Sequence, residues 1–374
     1  MIGDMRATRA VIRLDHLKWN LEQIRARTGA GPLVCLAVKA DAYGHGIIPV
    51  GLAAARYGVD YLAVASVDEG VDLREAGSDL PVLLYSLATP EEMPDVVARD
   101  LTPILSDAQQ VDAYAAEAAR QGRRLTVHIK IDTGMGRIGC RPADAAELAR
   151  RVAGSPSLLL GGVSTHFASA DSGDESYTRA QIRTFEESLA SIRGAGVDPG
   201  IVHAANSGGV IAHPGSWYDM VRPGIVAYGH YPSGEQDRPL DLRPVMELRS
   251  RVVYVKQVEP GQAVSYGMTW RAPRRTWIAT IPVGYGDGYN RLLSNRGRVL
   301  IGGESYPIAG RVCMDQIMVD LGPQLRVERY EEAVLFGYTP GAPGVEELAG
   351  LCDTIPYEIT CSITKRVPRV YEGE

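Results

Sequence analysis

Short apolar runs alternate with amphipathic helical patterns through the first two thirds of the chain, and this alternation constrains the fold more than any other feature. Apolar runs of strand length between turn residues indicate buried strands, whereas apolar spacings of three and four indicate helices. Eight such strands with helices between them favour an α/β fold, the (β/α)8 TIM barrel. The strand-like runs are 33–38, 61–65, 81–85, 101–105, 125–131, 158–164, 201–205 and 220–228. The helical patterns are 47–57, 67–76, 90–98, 108–121, 142–153 and 177–194. A first helix is predicted from Leu14, with Asp15 as its N-cap.

The chain changes character at a proline-rich linker over residues 231–244. Strand-like segments dominate the remainder, and helix is only weakly indicated. These segments are 245–257, 277–282, 298–301, 317–320 and 333–336. We expect a barrel over residues 10–238, a β-rich C-terminal domain over residues 239–374, and an N-terminal segment, residues 1–12, that can pack with the second domain.

The composition narrows the classes of function. The formal net charge of −6 is spread along 374 residues, which argues against a nucleic-acid or anionic-membrane partner. The five cysteines are an odd number without zinc-ligand spacing, so we expect reduced thiols and no metal. The N-terminal stretch lacks the apolar core of a signal peptide, and no later apolar run has the length of a membrane span. We therefore expect a cytoplasmic protein that acts on a small molecule.

A lysine at the end of the first barrel strand is the first candidate for chemistry. Lys39 follows the apolar run 33–38 and precedes Tyr43, Gly44 and Gly46, and the glycines permit close backbone approach to a ligand. The carboxyl ends of barrel strands form the active face of such barrels. A lysine buried there loses its proton more readily and can react with an aldehyde. On this motif alone, a solvated lysine at the end of a strand is the alternative interpretation.

The stretch Val38-Lys39-Ala40-Asp41-Ala42-Tyr43-Gly44-His45-Gly46 resembles the pyridoxal-phosphate lysine motif of alanine racemases, the fold type III group. Three further phrases, in the order that the family has them, carry the same resemblance. They are Asn206-Ser207-Gly208-Gly209, Val221-Arg222-Pro223-Gly224-Ile225 and Val264-Ser265-Tyr266-Gly267-Met268-Thr269. The resemblance covers both domains and implies that Lys39 binds pyridoxal 5'-phosphate as a Schiff base.

The resemblance also assigns cofactor contacts to residues that follow several barrel strands. Arg222 would donate to the pyridine nitrogen and leave it unprotonated, which weakens the ring as an electron sink and disfavours transamination. Without the resemblance, an arginine paired with a carboxylate is an equal interpretation. His166 and His203 would support Arg222 and the ring, while hydroxyls and backbone donors would hold the phosphate. The implied cofactor-binding residues are Lys39, Tyr43, His166, Asn206, Ser207, Arg222, Gly224, Ile225 and Tyr357.

A racemase needs two acid/base groups on opposite faces of the α-carbon. By resemblance Lys39 is one, and Tyr266 of the partner subunit is the other, so that each site is complete only in a homodimer. On its own, Tyr266 reads as a packing residue. Arg137 and the backbone of Met314 would bind the substrate carboxylate. Lys130 would be a carbamylated lysine that positions the arginine; alone it reads as an interior lysine paired with an acid. The implied entrance residues are Asp174, Tyr285 and Arg291.

These residues together predict an alanine racemase that interconverts L- and D-alanine and supplies D-alanine for peptidoglycan. A racemase for serine or for a broader set of amino acids is one alternative, and a basic amino-acid decarboxylase is another. A non-catalytic barrel protein that binds the cofactor is the alternative from a different class. Arg222 disfavours the decarboxylase, because a protonated ring nitrogen would suit that reaction better. The second domain with Tyr266 disfavours the binding protein.

Overall fold

The computed structural model describes residues 6–373 and contains a closed parallel barrel followed by a β-rich domain. The expected fold class is therefore confirmed. Each barrel strand pairs with the next one along the chain, and the last closes on the first through Leu33 to Met220 and Val34 to Val221. The barrel strands are β2 (Leu33–Ala37), β3 (Tyr61–Val64), β4 (Val82–Leu84), β5 (Leu101–Leu105), β6 (Leu125–Lys130), β7 (Leu158–Ser164), β8 (Ile201–His203) and β9 (Met220–Val221).

Helices cover the outside of the barrel because their apolar faces pack against the strands. The third of them shows the local reason for its start: Ser66 and Glu69 form a reciprocal capping box at its N-terminus. The helices are α1 (Leu14–Thr28), α2 (Ile47–Arg56), α3 (Val67–Glu75), α4 (Met93–Ala98), α5 (Ala108–Arg120), α6 (Ala145–Ala153), α7 (Ser176–Gly194) and α8 (Ser207–Ala212).

Two local expectations are wrong. Asp15 does not cap α1; it lies in the first turn, where its carboxylate pairs with Arg13 at 2.6 Å. The run 220–228 is a strand only at Met220–Val221, and Ile225–Tyr228 forms a 3-10 turn. Pro223 explains the early end of the strand, because proline has no N–H to continue the ladder.

The second domain contains a six-stranded sheet that includes β1, the N-terminal strand Arg9–Arg13. The strands lie side by side in the order β16 (Glu304–Pro307), β15 (Arg298–Ile301), β18 (Glu332–Phe336), β10 (Met246–Arg251), β1 and β19 (Arg369–Glu372). This strand pairs antiparallel with β10 and parallel with β19. Residues 9–13 therefore lie in the sheet of the second domain, while residues 1–5 of the expected N-terminal segment lie outside the described part of the chain. The predicted run 245–257 divides into β10 and β11, which belong to different sheets.

The other strands of this domain form a three-stranded sheet, β11-β14-β17, and a two-stranded one, β12-β13. The strands are β10 (Met246–Arg251), β11 (Tyr254–Val258), β12 (Ala263–Val264), β13 (Trp270–Arg271), β14 (Thr276–Ile281), β15 (Arg298–Ile301), β16 (Glu304–Pro307), β17 (Ile317–Gly322), β18 (Glu332–Phe336) and β19 (Arg369–Glu372). Two helices, α9 (Val345–Leu351) and α10 (Pro356–Cys361), complete it. Within residues 6–373, no helix combines the length and the apolarity that crossing a membrane requires.

Candidate active site

A cavity of about 410 Å³ opens at the carboxyl end of the barrel strands. This volume lies within the range of small-molecule and cofactor sites, and the position is the one at which barrel enzymes carry their chemistry. Eleven of the residues expected at the site line it. They are Lys39, Tyr43, Lys130, Arg137, His166, His203, Asn206, Ser207, Arg222, Gly224 and Tyr357.

A left-handed turn directs Lys39 and Tyr43 into the cavity. Residues 40–42 have φ between 53° and 54°, although none of them is glycine. This conformation costs roughly 1–2 kcal/mol per residue for L-amino acids, so surrounding contacts must hold it. One such contact is the carboxylate of Glu69, which accepts a hydrogen bond from the backbone N–H of Ala40 at 2.6 Å. The sequence suggested a glycine-rich turn here, but the strained part of the turn precedes the glycines.

Four basic side chains line the cavity, namely Lys39, Lys130, Arg137 and Arg222, and the charges of the arginines act on the lysines. Burial, and then the charge of Arg137, lowers the pKa of Lys39, which favours a neutral amine that can act as a nucleophile or a base. Burial, followed by the charges of Arg222 and Arg137, lowers the pKa of Lys130 to about 7. Both lysines therefore hold their protons less firmly than surface lysines do.

Arg222 is buried and has a set of partners unusual for an arginine. Its guanidinium donates to the backbone carbonyls of Thr165 at 2.8 Å and Ala204 at 3.0 Å. It also contacts Nδ1 of His203 at 2.9 Å and Nδ1 of His166 at 3.2 Å. A guanidinium can only donate, so both histidine nitrogens are acceptors. Burial, and then the charge of Arg222, lowers the pKa of both histidines well below the ordinary value, which keeps the rings neutral.

The opposite side of the cavity is lined by hydroxyl groups and backbone donors. The hydroxyl of Ser207 accepts from the N–H of Gly224 at 3.0 Å and from that of Val226 at 3.4 Å. A methyl group at Gly224 would lie 2.6 Å from the hydroxyl oxygen of Tyr43. Glycine is therefore required at this position by the close approach of the tyrosine. The result is a small pocket of hydroxyl groups and amides, with Tyr357 as a further phenol beside Ser207.

The remaining expected residues do not line the cavity of their own chain. Tyr266, Met314 and Tyr285 are 71 %, 52 % and 42 % exposed, and Arg291 is also exposed. Ile225 is fully buried behind the hydroxyl pocket. Asp174 is exposed, and its carboxylate accepts from the backbone N–H of Ser176 at the start of α7. The acid whose charge acts on Tyr357 is instead Asp171, which the sequence reasoning did not select.

The loops that carry these exposed residues are tied together on one face of the second domain. The hydroxyl of Ser265 donates to the carbonyl of Arg311 at 2.7 Å, which fixes the turn that presents Tyr266. The N–H of Tyr285 donates to the carbonyl of Cys313 at 3.0 Å, which joins the Tyr285 turn to the Met314 loop. We call this surface, with Tyr266, Tyr285, Arg291 and Met314, the tyrosine face.

Comparison with known proteins identifies the architecture. Residues 12–232 match the alanine racemase N-terminal domain and residues 245–371 match the alanine racemase C-terminal domain. The chain belongs to the alanine racemase family. It is 46 % identical to the alanine racemase of Treponema denticola, with 99 % of each chain covered. It is 44 % identical to that of Symbiobacterium thermophilum, with 100 % of this chain and 99 % of the relative covered.

Solved structures of alanine racemases agree with the fold. The enzyme from Streptomyces coelicolor superimposes with a TM-score of 0.95 at 37 % identity, and each chain is covered fully. The alanine racemase from D-cycloserine-producing Streptomyces lavendulae superimposes with a TM-score of 0.94 at 38 % identity, with 99 % of this chain and 98 % of that chain covered. The expected family and the two-domain fold are thus confirmed.

Sequence reasoning missed two residues that adjoin Arg222. Nδ1 of His128 lies 2.8 Å from Nε2 of His203, and the Tyr85 ring centroid lies 6.0 Å from the guanidinium carbon of Arg222. His203 accepts from Arg222 at Nδ1, so a neutral His203 carries its proton on Nε2 and donates it to His128. The sequence did contain a signal for His128. It lies two residues before Lys130 in β6, so the two side chains point to the same side of the strand.

Proposed function

We propose that this chain interconverts L- and D-alanine, with pyridoxal 5'-phosphate held by Lys39. The observation that carries the proposal is that one cavity combines a lysine of lowered pKa, a pocket of hydroxyls and amides, and a buried arginine bound to neutral groups. Within residues 6–373, the guanidinium of Arg222 contacts histidine rings, carbonyls and the ring of Tyr85 but no carboxylate, so the alternative of a structural arginine–carboxylate pair has no support.

The residues present fit this cofactor. Ser207, Tyr43, Tyr357 and the close backbone at Gly224 offer neutral donors suited to a phosphate group, and Lys39 offers an amine for the aldehyde. When bound, the cofactor stabilises the negative charge left on the α-carbon after proton removal. Arg222 donates without giving up its proton, so it keeps a facing ring nitrogen unprotonated and limits the withdrawal of electrons. This favours return of the proton over transfer of the amino group.

Substrate binding and proton transfer follow from the charges in the cavity. Arg137 offers a guanidinium to the carboxylate of alanine, as a charge-assisted pair. Lys39, with its lowered pKa, would remove or return the α-proton on one face of the substrate. Lys130 has a pKa of about 7, so a large fraction of its amine is neutral and able to react with carbon dioxide. The product would be a carbamate whose negative charge could orient Arg137.

The second acid/base group is Tyr266 of the partner subunit. Tyr266 lies outside the cavity of its own chain and is 71 % exposed. Other large apolar side chains on or beside the tyrosine face are exposed as well, including Met268 at 60 % and Met314 at 52 %. Clustered exposure of this kind is typical of an interface. A homodimer in which this face covers the partner's cavity would bring Tyr266 to the face of the substrate opposite Lys39.

The biological role proposed is supply of D-alanine for peptidoglycan in the cytoplasm. All five cysteines are unpaired in the structure, which agrees with a reducing compartment. Entrance roles for Asp174, Tyr285 and Arg291 remain part of the proposal. Tyr285 and Arg291 reach a neighbouring cavity only in the proposed dimer, and Asp174 stands on the barrel side.

The test is α-proton exchange in deuterated water with purified protein, added cofactor and a panel of L-amino acids, followed by NMR and chiral analysis. Exchange with loss of chirality confined to alanine is the expected result. Comparable exchange on serine or longer side chains would shift the assignment to a broader racemase. No exchange on any amino acid, with cofactor bound, would overturn the racemase and support a binding protein.

A further inference from the structure

Gln181 in α7 is a buried amide whose contacts fall on the two loops that carry the site. The residue is 1 % exposed. Its Oε1 accepts from the N–H of Ala168 at 3.0 Å, and its Nε2 donates to the carbonyl of His166 at 3.1 Å and to Oγ1 of Thr133 at 3.3 Å. Ala168 and His166 belong to the loop after β7, whereas Thr133 belongs to the loop after β6, which carries Arg137.

The hydrogen bonds that start at Gln181 allow only one order of donors and acceptors. Oγ1 of Thr165 donates to the carbonyl of Ile131 at 2.9 Å, so the contact of 2.7 Å between Thr133 and Thr165 must use the proton of Thr133. Thr133 in turn accepts from Gln181. The donors are therefore Gln181, Thr133 and Thr165, in that order, and the carbonyl of Ile131, just after β6, is the final acceptor. The same order fixes the orientation of the Gln181 amide.

This series of hydrogen bonds ends at two groups that accept from Arg222. The carbonyl of Thr165 accepts from Arg222 at 2.8 Å, and Nδ1 of His166 accepts from the same guanidinium at 3.2 Å. Thr133 lies in the same loop as Arg137, and both ends of this loop are joined by the bond between Asp132 N–H and the carbonyl of Cys140 at 2.9 Å. Gln181, which does not line the cavity, thus connects the loop of Arg137 with the groups that accept hydrogen bonds from Arg222.

We infer that Gln181 is a positioning residue. Its hydrogen bonds fix the loop of Arg137 relative to the carbonyl of Thr165 and the ring of His166, which accept from Arg222. The inference rests on the proposed racemase function. Loss of the amide leaves the N–H of Ala168 and the carbonyl of His166 buried without partners, so the two loops would shift to find others. A shift of about 1 Å at reacting groups can reduce a rate about 100-fold. Lys39 and the hydroxyl pocket have no contact with Gln181 among these bonds, so cofactor binding should persist.

The variant to test is Gln181→Met, which keeps the length of the side chain and removes all three bonds. We expect kcat/KM for alanine to fall about 10- to 100-fold, with cofactor content unchanged. Binding of propionate, which has the carbon skeleton of alanine without the amine, reports on Arg137 independently of turnover. Its Kd, measured by calorimetry on the cofactor-loaded protein, should rise by at least a few-fold.

The matched control is Ser188→Ala, two turns along α7. Ser188 is 3 % exposed, and its hydroxyl bonds only within the helix, to the carbonyl of Thr184 at 2.8 Å. If the role of Gln181 is merely structural, Gln181→Met should lower the melting temperature and, like Ser188→Ala, leave the propionate Kd of the folded protein unchanged; that result would overturn the inference. Unchanged kcat/KM in Gln181→Met would overturn it as well.

A second variant covers the case in which Gln181→Met does not fold. Thr133→Val interrupts this series of hydrogen bonds at its first hydroxyl and leaves the bonds between Gln181 and the backbone of Ala168 and His166 intact. It should weaken propionate binding, and an unchanged Kd would contradict the inference. Absence of racemisation by the wild-type protein would instead contradict the proposed function, and the propionate measurement separates the two failures.

Discussion

The cavity of the barrel and the tyrosine face differ in how far a single chain completes them. Around the cavity, burial and fixed charge already lower the pKa of Lys39, His166 and His203. On the tyrosine face, Tyr266 is 71 % exposed and does not line the barrel cavity of its own chain. The two proposed acid/base groups therefore differ: the pKa of Lys39 is lowered by its own chain, whereas Tyr266 can act only when two chains associate.

The two regions should also differ in how substitutions respond to protein concentration. Groups in the cavity depend on the low dielectric and on neighbouring cations, so substitutions there should act at any protein concentration. The tyrosine face contributes only when two chains meet, so its effects should vary with concentration. The following experiments test this division, beginning with the largest expected effect.

Lys39→Ala should abolish racemisation and the visible absorbance of lysine-bound cofactor, because no other amine in the cavity is placed like Lys39. The measurement is an activity assay together with an absorbance spectrum of the loaded protein. Lys256→Ala, a change at an exposed lysine of β11, is the control and should behave as wild type. Retention of the lysine-bound absorbance would show that another residue, such as Lys130, holds the cofactor.

Tyr266→Phe should reduce racemisation about 10²- to 10⁴-fold, the range for loss of one acid/base group, while cofactor content stays the same. The α-proton of one enantiomer should still exchange with solvent without inversion, because Lys39 remains. Proton NMR in deuterated water measures this exchange. Tyr254→Phe, at another exposed tyrosine of the second domain, should have no effect. Equal loss of exchange on both enantiomers would contradict the assignment of Tyr266.

Mixing the two inactive variants should restore activity if the site is shared. A mixed dimer of Lys39→Ala and Tyr266→Phe chains has one site with both defects and one site with neither. Random pairing makes about half of the dimers mixed, so the mixture should regain about one quarter of wild-type activity per total protein. Measurement after joint refolding tests this. No recovery, with dimers present, would place both groups in the same chain.

Gly224→Ala should weaken cofactor binding roughly tenfold, because the added methyl group would lie 2.6 Å from the hydroxyl of Tyr43 and force the phenol away. Titration of the apoprotein with cofactor measures the Kd. The control is Gly215→Ala, where a methyl group would meet nothing within 4 Å. Equal affinity in both variants would exclude this pocket as the phosphate site.

Removal of carbon dioxide should raise the KM for alanine about fivefold, the equivalent of ~1 kcal/mol for one lost charge-assisted bond to Arg137. The pKa of Lys130 is lowered to about 7, so its amine is mostly protonated below that pH and mostly neutral above it. Only the neutral amine forms a carbamate, and the response to added bicarbonate should therefore grow as the pH rises through 7. A response that persists in Lys130→Ala would contradict this assignment.

The sequence was sufficient for the features that local pattern determines. Barrel strands such as Leu101–Leu105 and Leu158–Ser164 coincide with the predicted runs, because apolar strands between turns are recognisable one at a time. Lys39 and Arg222 could be selected because each stands in a distinctive phrase at the end of a strand. Their convergence on one cavity follows from the barrel itself.

Other features depend on contacts that are distant in sequence. The left-handed turn at residues 40–42 has little local signal, since two of its three residues are alanines, which disfavour this conformation, and Glu69 holds the turn from α3. Tyr85 stands just after a strand and carries no motif, and it becomes relevant only because Arg222 lies over its ring. Gln181 is one polar residue among many on an amphipathic helix until the two loops close over it.

The position of β1 has a consequence for the order in which the molecule can be completed during synthesis. Arg9–Arg13 is synthesised before the barrel, yet its neighbours in the sheet, Met246–Arg251 and Arg369–Glu372, are synthesised after it. The barrel strands can therefore all be made while β1 still has two unpaired edges, and such edges invite wrong pairing with other chains. The sheet of the second domain can be completed only when β19 is available.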